Sequence, residues 1–283
     1  MSQPPPLTDR AALQRFRRRA LDLSRPALFL QQEAADEIEE RLNEVNRRFT
    51  APAIVTAFAD LWRNRHPDAV IVPDTETLAL EVGAHDLVIH ALSLHWANDP
   101  VGQLVQCRRA LKPDGLFIGA LFGGQTLTEL RAALAEAEIA LTGGLSPRVI
   151  PMGEIRDLGA LLQRAGFALP VADAATLSVS YQNALHLMHD LRAMGEGNAL
   201  SQRRKRIAPR ALFSTAAQVY QDSYGTPDGR IPATFETIFL TGWAPDESQP
   251  KPLRPGSAVA RLADALNTTE TPLPGSPAPK HRD

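Results

Sequence analysis

His95 and Trp96 stand side by side just after an apolar run at residues 87–90, and chemistry is easiest to place there. A histidine near neutral pH can take or give a proton, and a neighbouring indole can wall a small pocket. The same pair also fits a plainer role, with Trp96 packed under a sheet edge and His95 capping a loop. Tyr181, Glu196 and Asn198, much further along the chain, could line an acceptor cleft, while Gly195 and Gly197 suit turns. His85, His90, His186 and His189 are too scattered for a metal site, and ordinary exposed positions suit the last two. Cys107 falls among the apolar positions of a helix and reads as core. Arg203, Arg204, Lys205 and Arg206 form a basic cluster that could dock an acidic surface or simply sit in solvent. Neither a Ser/His/Asp order nor a phosphate-cradling loop of the P-loop kind is present.

These residues need elements to position them, and the hydrophobic pattern supplies them. Leu13, Phe16 and Ala20 recur at helical spacing after Thr8, a candidate N-cap, so the Arg-rich stretch 10–19 reads as an amphipathic helix rather than a transit peptide. Ile38, Leu42, Val45 and Phe49 mark a second helix over 32–49. Short β-rich runs follow at 53–58, 69–72, 87–90 and 116–121. Asp99 before Pro100 opens a helix that ends at 112–115. Thr126 and Glu129 form a capping-box pattern for a helix to about 141, and 143–147 reads as a mobile loop. A helix over 154–165 ends at Gly166. A strand at 176–181, a helix through Leu185, Met188 and Leu191, a helix over 209–224 and a strand at 233–243 follow. Strands alternating with helices imply a parallel sheet with crossover helices. The expected divisions are a helical cap at 1–49, an α/β core at 50–141, a partner or substrate layer at 142–246 and a Pro-rich, partly disordered tail at 247–283.

Length and composition limit the function. The 283 residues can bury a full core, and 44% hydrophobic with 22% charged residues is ordinary globular composition. A net charge of −2 supplies no overall drive toward nucleic acid or an anionic membrane. A single cysteine excludes an internal disulfide and fits a reducing, cytoplasmic setting. No apolar run approaches the roughly 18 residues of a membrane span.

Residues 86–99 (DLVIHALSLHWAND) and 111–115 (LKPDG) look like strand four, its loop and the turn before strand five of class I S-adenosylmethionine (SAM)-dependent methyltransferases. Further on, GALFGGQTLTELR at 119–131, GLSP at 144–147, DLGALLQRAGF at 157–167, MGEGN at 194–198 and IPATF at 231–235 occur in one order. So do Gly242-Trp243 and residues 247–249. Together they resemble the methyltransferase-fold proteins that assist assembly of respiratory complex I and are credited with arginine hydroxylation. The resemblance runs from about residue 29 to 258. It implies a Rossmann-like sheet, SAM as cofactor, and action on an arginine of a hydrophilic-arm subunit of complex I. Acyl-carrier methyltransferases of the biotin pathway share the strand-four pattern and are the alternative enzyme reading.

Ligands of such sheets sit beyond the carboxyl ends of the strands, which places residues 91–96 at a pocket mouth. Asp74, Leu92 and Ser93 are therefore the expected cofactor residues, and His95, Trp96 and Tyr181 the expected catalytic ones. The departure from the family lies at strand one. Class I enzymes end it in a Gly-rich loop that lets backbone approach the cofactor, yet residues 53–60 (AIVTAFAD) hold no glycine, and the first in the chain is Gly83. Only 34 residues, 53 to 86, cover what three strands and two helices would need roughly 50–60 to build. The expectation is a sheet short of one βα unit, SAM binding too weak to saturate in the cell, and a chain able to serve as a non-catalytic assembly scaffold.

Overall fold

The computed structural model describes residues 5–23, 26–250 and 268. The expected tail lies almost wholly outside the described residues, and the compact unit ends at Asp246. Its helices are α1 (Arg10–Leu21), α2 (Phe29–Glu44), α3 (Ala59–Arg63), α4 (Pro100–Ala110), α5 (Thr128–Thr142), α6 (Ile155–Ala165), α7 (Ala184–Ala193) and α8 (Arg210–Tyr224). Its strands are β1 (Pro52–Val55), β2 (Val70–Val72), β3 (His85–His90), β4 (Leu111–Phe122), β5 (Ala168–Tyr181) and β6 (Ile231–Trp243), in one sheet ordered β2-β1-β3-β4-β6-β5.

The first four strands run parallel, with Ile54 opposite Ile89 and Val88 opposite Phe117. β6 lies antiparallel to both β4 and β5. Alternation along each strand sorts the core. Ile54, Leu87, Ile89, Leu116 and Ile118 face the layer of α2, α5, α7 and α8. Ala53, Val55, Val88, Phe117 and Leu121 face α4 and α6. Each such Ile, Leu or Phe contributes about 1.5–3 kcal/mol on burial, so register is fixed from both faces. Between β1 and β3 only α3 and β2 intervene, so the expected loss of one βα unit is what the sheet shows. β2 pairs directly with β1.

Several local expectations change. Asp9, not Thr8, caps α1, accepting from the Ala12 N–H at 3.0 Å, because Thr8 is drawn into a bridge with Leu200. α2 ends at Glu44, leaving Phe49 outside it. The capping box at α5 does not form. The Thr126 hydroxyl instead exchanges 3.0 Å bonds with the Glu236 backbone, and Glu129 accepts from Thr234, so both side chains tie α5 to β6. Asp99 and Pro100 open α4 as expected, with the Asp99 carboxylate accepting from Gly102 N–H at 2.7 Å.

α1 packs Ala12 and Leu13 against Trp96, Ile150, Ala199 and Leu200. The close approach needs Gly195, which has φ +80° and whose Cβ position would lie 2.9 Å from Arg17 Cα. Gly195→Ala should lower the unfolding free energy by about 3 kcal/mol, the upper range for a strained position. Gly143→Ala, at φ +67° with open space around it, should cost about 1 kcal/mol. Urea midpoints of the two variants check this, and equal losses would contradict the packing described.

Candidate functional site

The carboxyl edge of the sheet divides into two regions on either side of Trp96. In the first, β2 runs through Pro73 into Asp74, which is 5% exposed. Arg17 Nη1 donates to both of its carboxylate oxygens, at 2.9 and 2.8 Å, and Arg10 Nη2 lies 3.2 Å from Oδ2. Arg10 also donates to the Asp74 and Trp96 carbonyls. Burial pushes the Asp74 carboxyl up, but the Arg17 and Arg10 charges outweigh it and hold it below the ordinary aspartate range. Thr56 and Phe58, following β1, are buried, and the Thr56 hydroxyl accepts from Phe58 N–H at 3.0 Å.

After β3 the chain turns sharply. Leu92 is buried with φ +40°, a left-handed conformation that costs a non-glycine residue about 1–3 kcal/mol. That turn launches the 3-10 segment Leu94–Trp96. Ser93 Oγ lies 3.5 Å from His90 Nδ1, and His90 Nε2 donates to Gln103 Oε1 at 2.8 Å. Burial, ahead of its partners' opposing pull, lowers the His90 pKa and keeps the ring neutral.

The second region is a cavity of about 240 Å³. Leu30, Phe122, Leu127, Phe235 and all three methionines after Met1 (Met152, Met188 and Met194) are among its mostly apolar lining. Trp96, Glu196 and Asn198 complete one side. Trp96 Nε1 donates to Glu196 Oε2 at 2.6 Å, and His95 Nε2 lies 3.4 Å from the same oxygen. Glu196 Oε1 and His95 Nδ1 have no hydrogen-bond partner among the described residues. Burial raises the Glu196 carboxyl, but the bond and charge of His95, the Arg17 charge and the Trp96 N–H together leave it below the ordinary range, so it is ionised. His95 itself packs against Phe122 with the rings tilted, 4.8 Å between centroids.

Residues 148–150 form another wall, and the stretch 146–148 that leads into it is clasped in place. Glu138 on α5 accepts from Arg148 Nη2 at 2.7 Å, Arg148 Nε at 3.0 Å and Ser146 Oγ at 2.7 Å. Asn198 donates to the Pro147 carbonyl at 2.9 Å. Hydrogen bonding from Arg148, ahead of the opposing effect of burial, takes the Glu138 pKa down to about 2.

The residues expected to act together thus fall into three places. Asp74, Leu92 and Ser93 lie at the first region, and His95 and Trp96 lie between the two regions. Tyr181 does not line the cavity: it is buried in the core beneath α7, where burial and Asp190 raise its hydroxyl above the ordinary tyrosine range. Glu196, weighed in the sequence only as a lining residue, is the group on which His95 and Trp96 converge. The signal for it was present in MGEGN, a charged residue between two glycines. His186 and His189 are exposed, and among the described residues no cluster is suited to a metal ion. Arg203 pairs with Asp9 at 2.9 Å, while Arg204, Lys205 and Arg206 are exposed.

A strand-ordered α/β sheet with its residues gathered at the carboxyl edge defines a class I methyltransferase-fold protein, and a family model described as "Methyltransferase domain" matches residues 31–119. The chain is 42% identical over 198 residues to the arginine-hydroxylase NDUFAF5, mitochondrial, of Danio rerio, covering 70% of this chain and 61% of that protein. To the human protein of the same name it is 38% identical over 240 residues, covering 84% and 69%. A malonyl-[acyl-carrier protein] O-methyltransferase of Xylella fastidiosa is 34% identical over 184 residues, covering 65% and 59%. This chain belongs to the NDUFAF5 arginine-hydroxylase family, although the matches span only about three fifths of most of these relatives.

SAM is the cofactor that the fold implies, and the residues present do not fit it. The one acid at the carboxyl end of β2 is already bound by two arginines, and buried side chains stand where the fold needs bare backbone after β1. Two lost polar anchors, each worth about 1.5–3 kcal/mol, move a micromolar site to roughly millimolar at ~1.4 kcal/mol per tenfold. Calorimetric titration with SAM should therefore show no saturation at micromolar concentrations, and a low micromolar constant would overturn this. The clasp gives an acid signature. Glu138 has its folded pKa depressed from 4.5 to about 2, so its contribution is complete above pH 4.5 and fades as pH falls toward 2. Glu138→Gln should flatten the stability profile in that window and speed hydrogen exchange at the Ser146 amide.

Proposed function

We propose that this chain acts in the assembly of respiratory complex I by engaging, without using SAM, an arginine of a hydrophilic-arm subunit that is hydroxylated with dioxygen as oxygen source, one atom entering the arginine and the other leaving as water with two electrons from an external reductant. The observation that carries the reading is the cavity itself. Its lining is mostly apolar and thioether, with Thr126, Arg148, Arg192 and Asn198 beside them, and it holds one ionised, buried carboxylate, which suits a long aliphatic stem ending in a cation. The hydroxylation comes from the activity for which the relatives are named. His95 and Trp96 are the proposed site residues because they position Glu196. Asp74, Leu92 and Ser93 are proposed to hold α1 and the β3 turn rather than a cofactor. The proposed location is the reducing cytoplasm, in keeping with a lone buried thiol; the animal relatives are named as mitochondrial.

A second reading, a scaffold that binds the subunit and modifies nothing, is favoured by the arginine-filled crevice at Asp74. The acyl-carrier methyltransferase reading has less support, since it requires SAM where Asp74 is paired with the α1 arginines and rests on the less similar relative. Deleting the gene should reduce complex I activity severely while sparing the other respiratory enzymes. Mass spectrometry of complex I subunits from the parent strain should find an arginine-containing peptide heavier by one oxygen, absent after deletion. Loss of complex I without any such peptide supports the scaffold, and normal complex I in the deletion strain rejects both readings.

A further inference from the structure

Glu196 is an unusual group to find in an apolar cavity. Its carboxylate is ionised and its side chain is 9% exposed, yet only Oε2 is engaged, by Trp96 Nε1 and His95 Nε2. A buried acceptor left unsatisfied costs about 1–3 kcal/mol, more when charged, and a site that retains one recovers that cost when a donor arrives. Arg17 acts on Glu196 through its charge alone: its Nη1 is committed to Asp74, and its Nε and Nη2, which have no partner, make no hydrogen bond to Glu196. Arg148 is neutralised by Glu138, and Arg192 is exposed.

The remaining wall narrows the class of ligand. Leu30, Phe122, Met188, Met194 and Phe235 offer nothing to a polar stem, and flexible thioethers accommodate a methylene chain well. Trp96 sits in the wall beside the carboxylate, and indole is the best aromatic partner for a cation. A planar guanidinium can both stack on a ring and present an N–H in its plane to an oxygen, which a compact ammonium cannot do as well. We propose that Glu196 is the specificity-determining residue of the cavity, accepting a hydrogen bond from a guanidinium through Oε1 while Trp96 and His95 fix the carboxylate through Oε2. This rests on the arginine reading above and supplies the residue that enforces it. Trp96 and His95 are positioning residues in this arrangement, since they act through Glu196.

The test uses the full chain and three probes: Nα-acetyl-arginine amide, its uncharged citrulline isostere and Nα-acetyl-lysine amide. The readout is the indole N–H signal of Trp96 in a nitrogen-15 spectrum, identified by its loss in Trp96→Phe. The arginine probe should shift this signal saturably, and the citrulline and lysine probes should bind at least about tenfold more weakly, ~1.4 kcal/mol. Glu196→Gln should bind the arginine and citrulline probes alike. Equal binding of the arginine and citrulline probes to the unmodified protein overturns the proposal without recourse to any variant. So does a Glu196→Gln protein that keeps the preference, and equal binding of lysine overturns the assignment to guanidinium. The two levels of inference separate in cells. If the deletion strain retains complex I, the proposed function fails while the probe result stands. If deletion removes complex I and Glu196→Gln restores it fully, the role of Glu196 fails alone.

Discussion

The pair of Arg17 and Asp74 is the interaction on which the rest of this structure depends. Removing two charges from water is costly, and here it is offset by one Arg17 nitrogen, Nη1, donating to both carboxylate oxygens and by the second cation that Arg10 adds. Breaking such a pair is worse than never having it, since the surviving charge stays buried. α1 is therefore not an appendage. It is fixed over the carboxyl edge by its arginines, by Asp9 with Arg203, and by the bridge at Thr8. With α1 seated, the acid beyond β2 is held by the protein's own arginines.

That arrangement also explains why the loop after β1 tolerates Thr56 and Phe58. Glycine there is needed only where a ligand must approach backbone. Once a helix covers the edge, a β-branched and an aromatic residue can be buried instead, and their burial contributes to stability. The shortened sheet follows the same logic. An acid at the end of β2 can be supplied by the strand next to β1, and its partner is now protein.

Much of the fold was legible in the sequence, because the short β-rich runs in β1, β3 and β4 and the Asp99-Pro100 start of α4 are local signals. The missing βα unit was legible too, as a shortfall in chain length between residues 53 and 86. What could not be read depended on partners far away in sequence. Thr126 and Glu129 carry the spacing of a capping box, yet β6 offers them better-placed backbone groups. Thr8 looks like a cap, yet Leu200 claims it. The destination of Asp74 was hidden for the same reason: nothing near it in sequence announces Arg17, 57 residues earlier. The burial of Tyr181 could not be read locally either, since it is set by the core that closes over the end of β5.

The concentration of thioethers in one cavity has a chemical consequence. Met152, Met188 and Met194 are the methionines beyond Met1, and all of them line the same space. Oxidation to the sulfoxide converts each from a flexible apolar surface into a polar, chiral one. An oxidant that reaches this cavity would meet three soft sulfur atoms within a single wall. Oxidative damage would therefore fall first on the shape of the cavity and reach the sheet through Met194, which also belongs to the buried cluster beneath it.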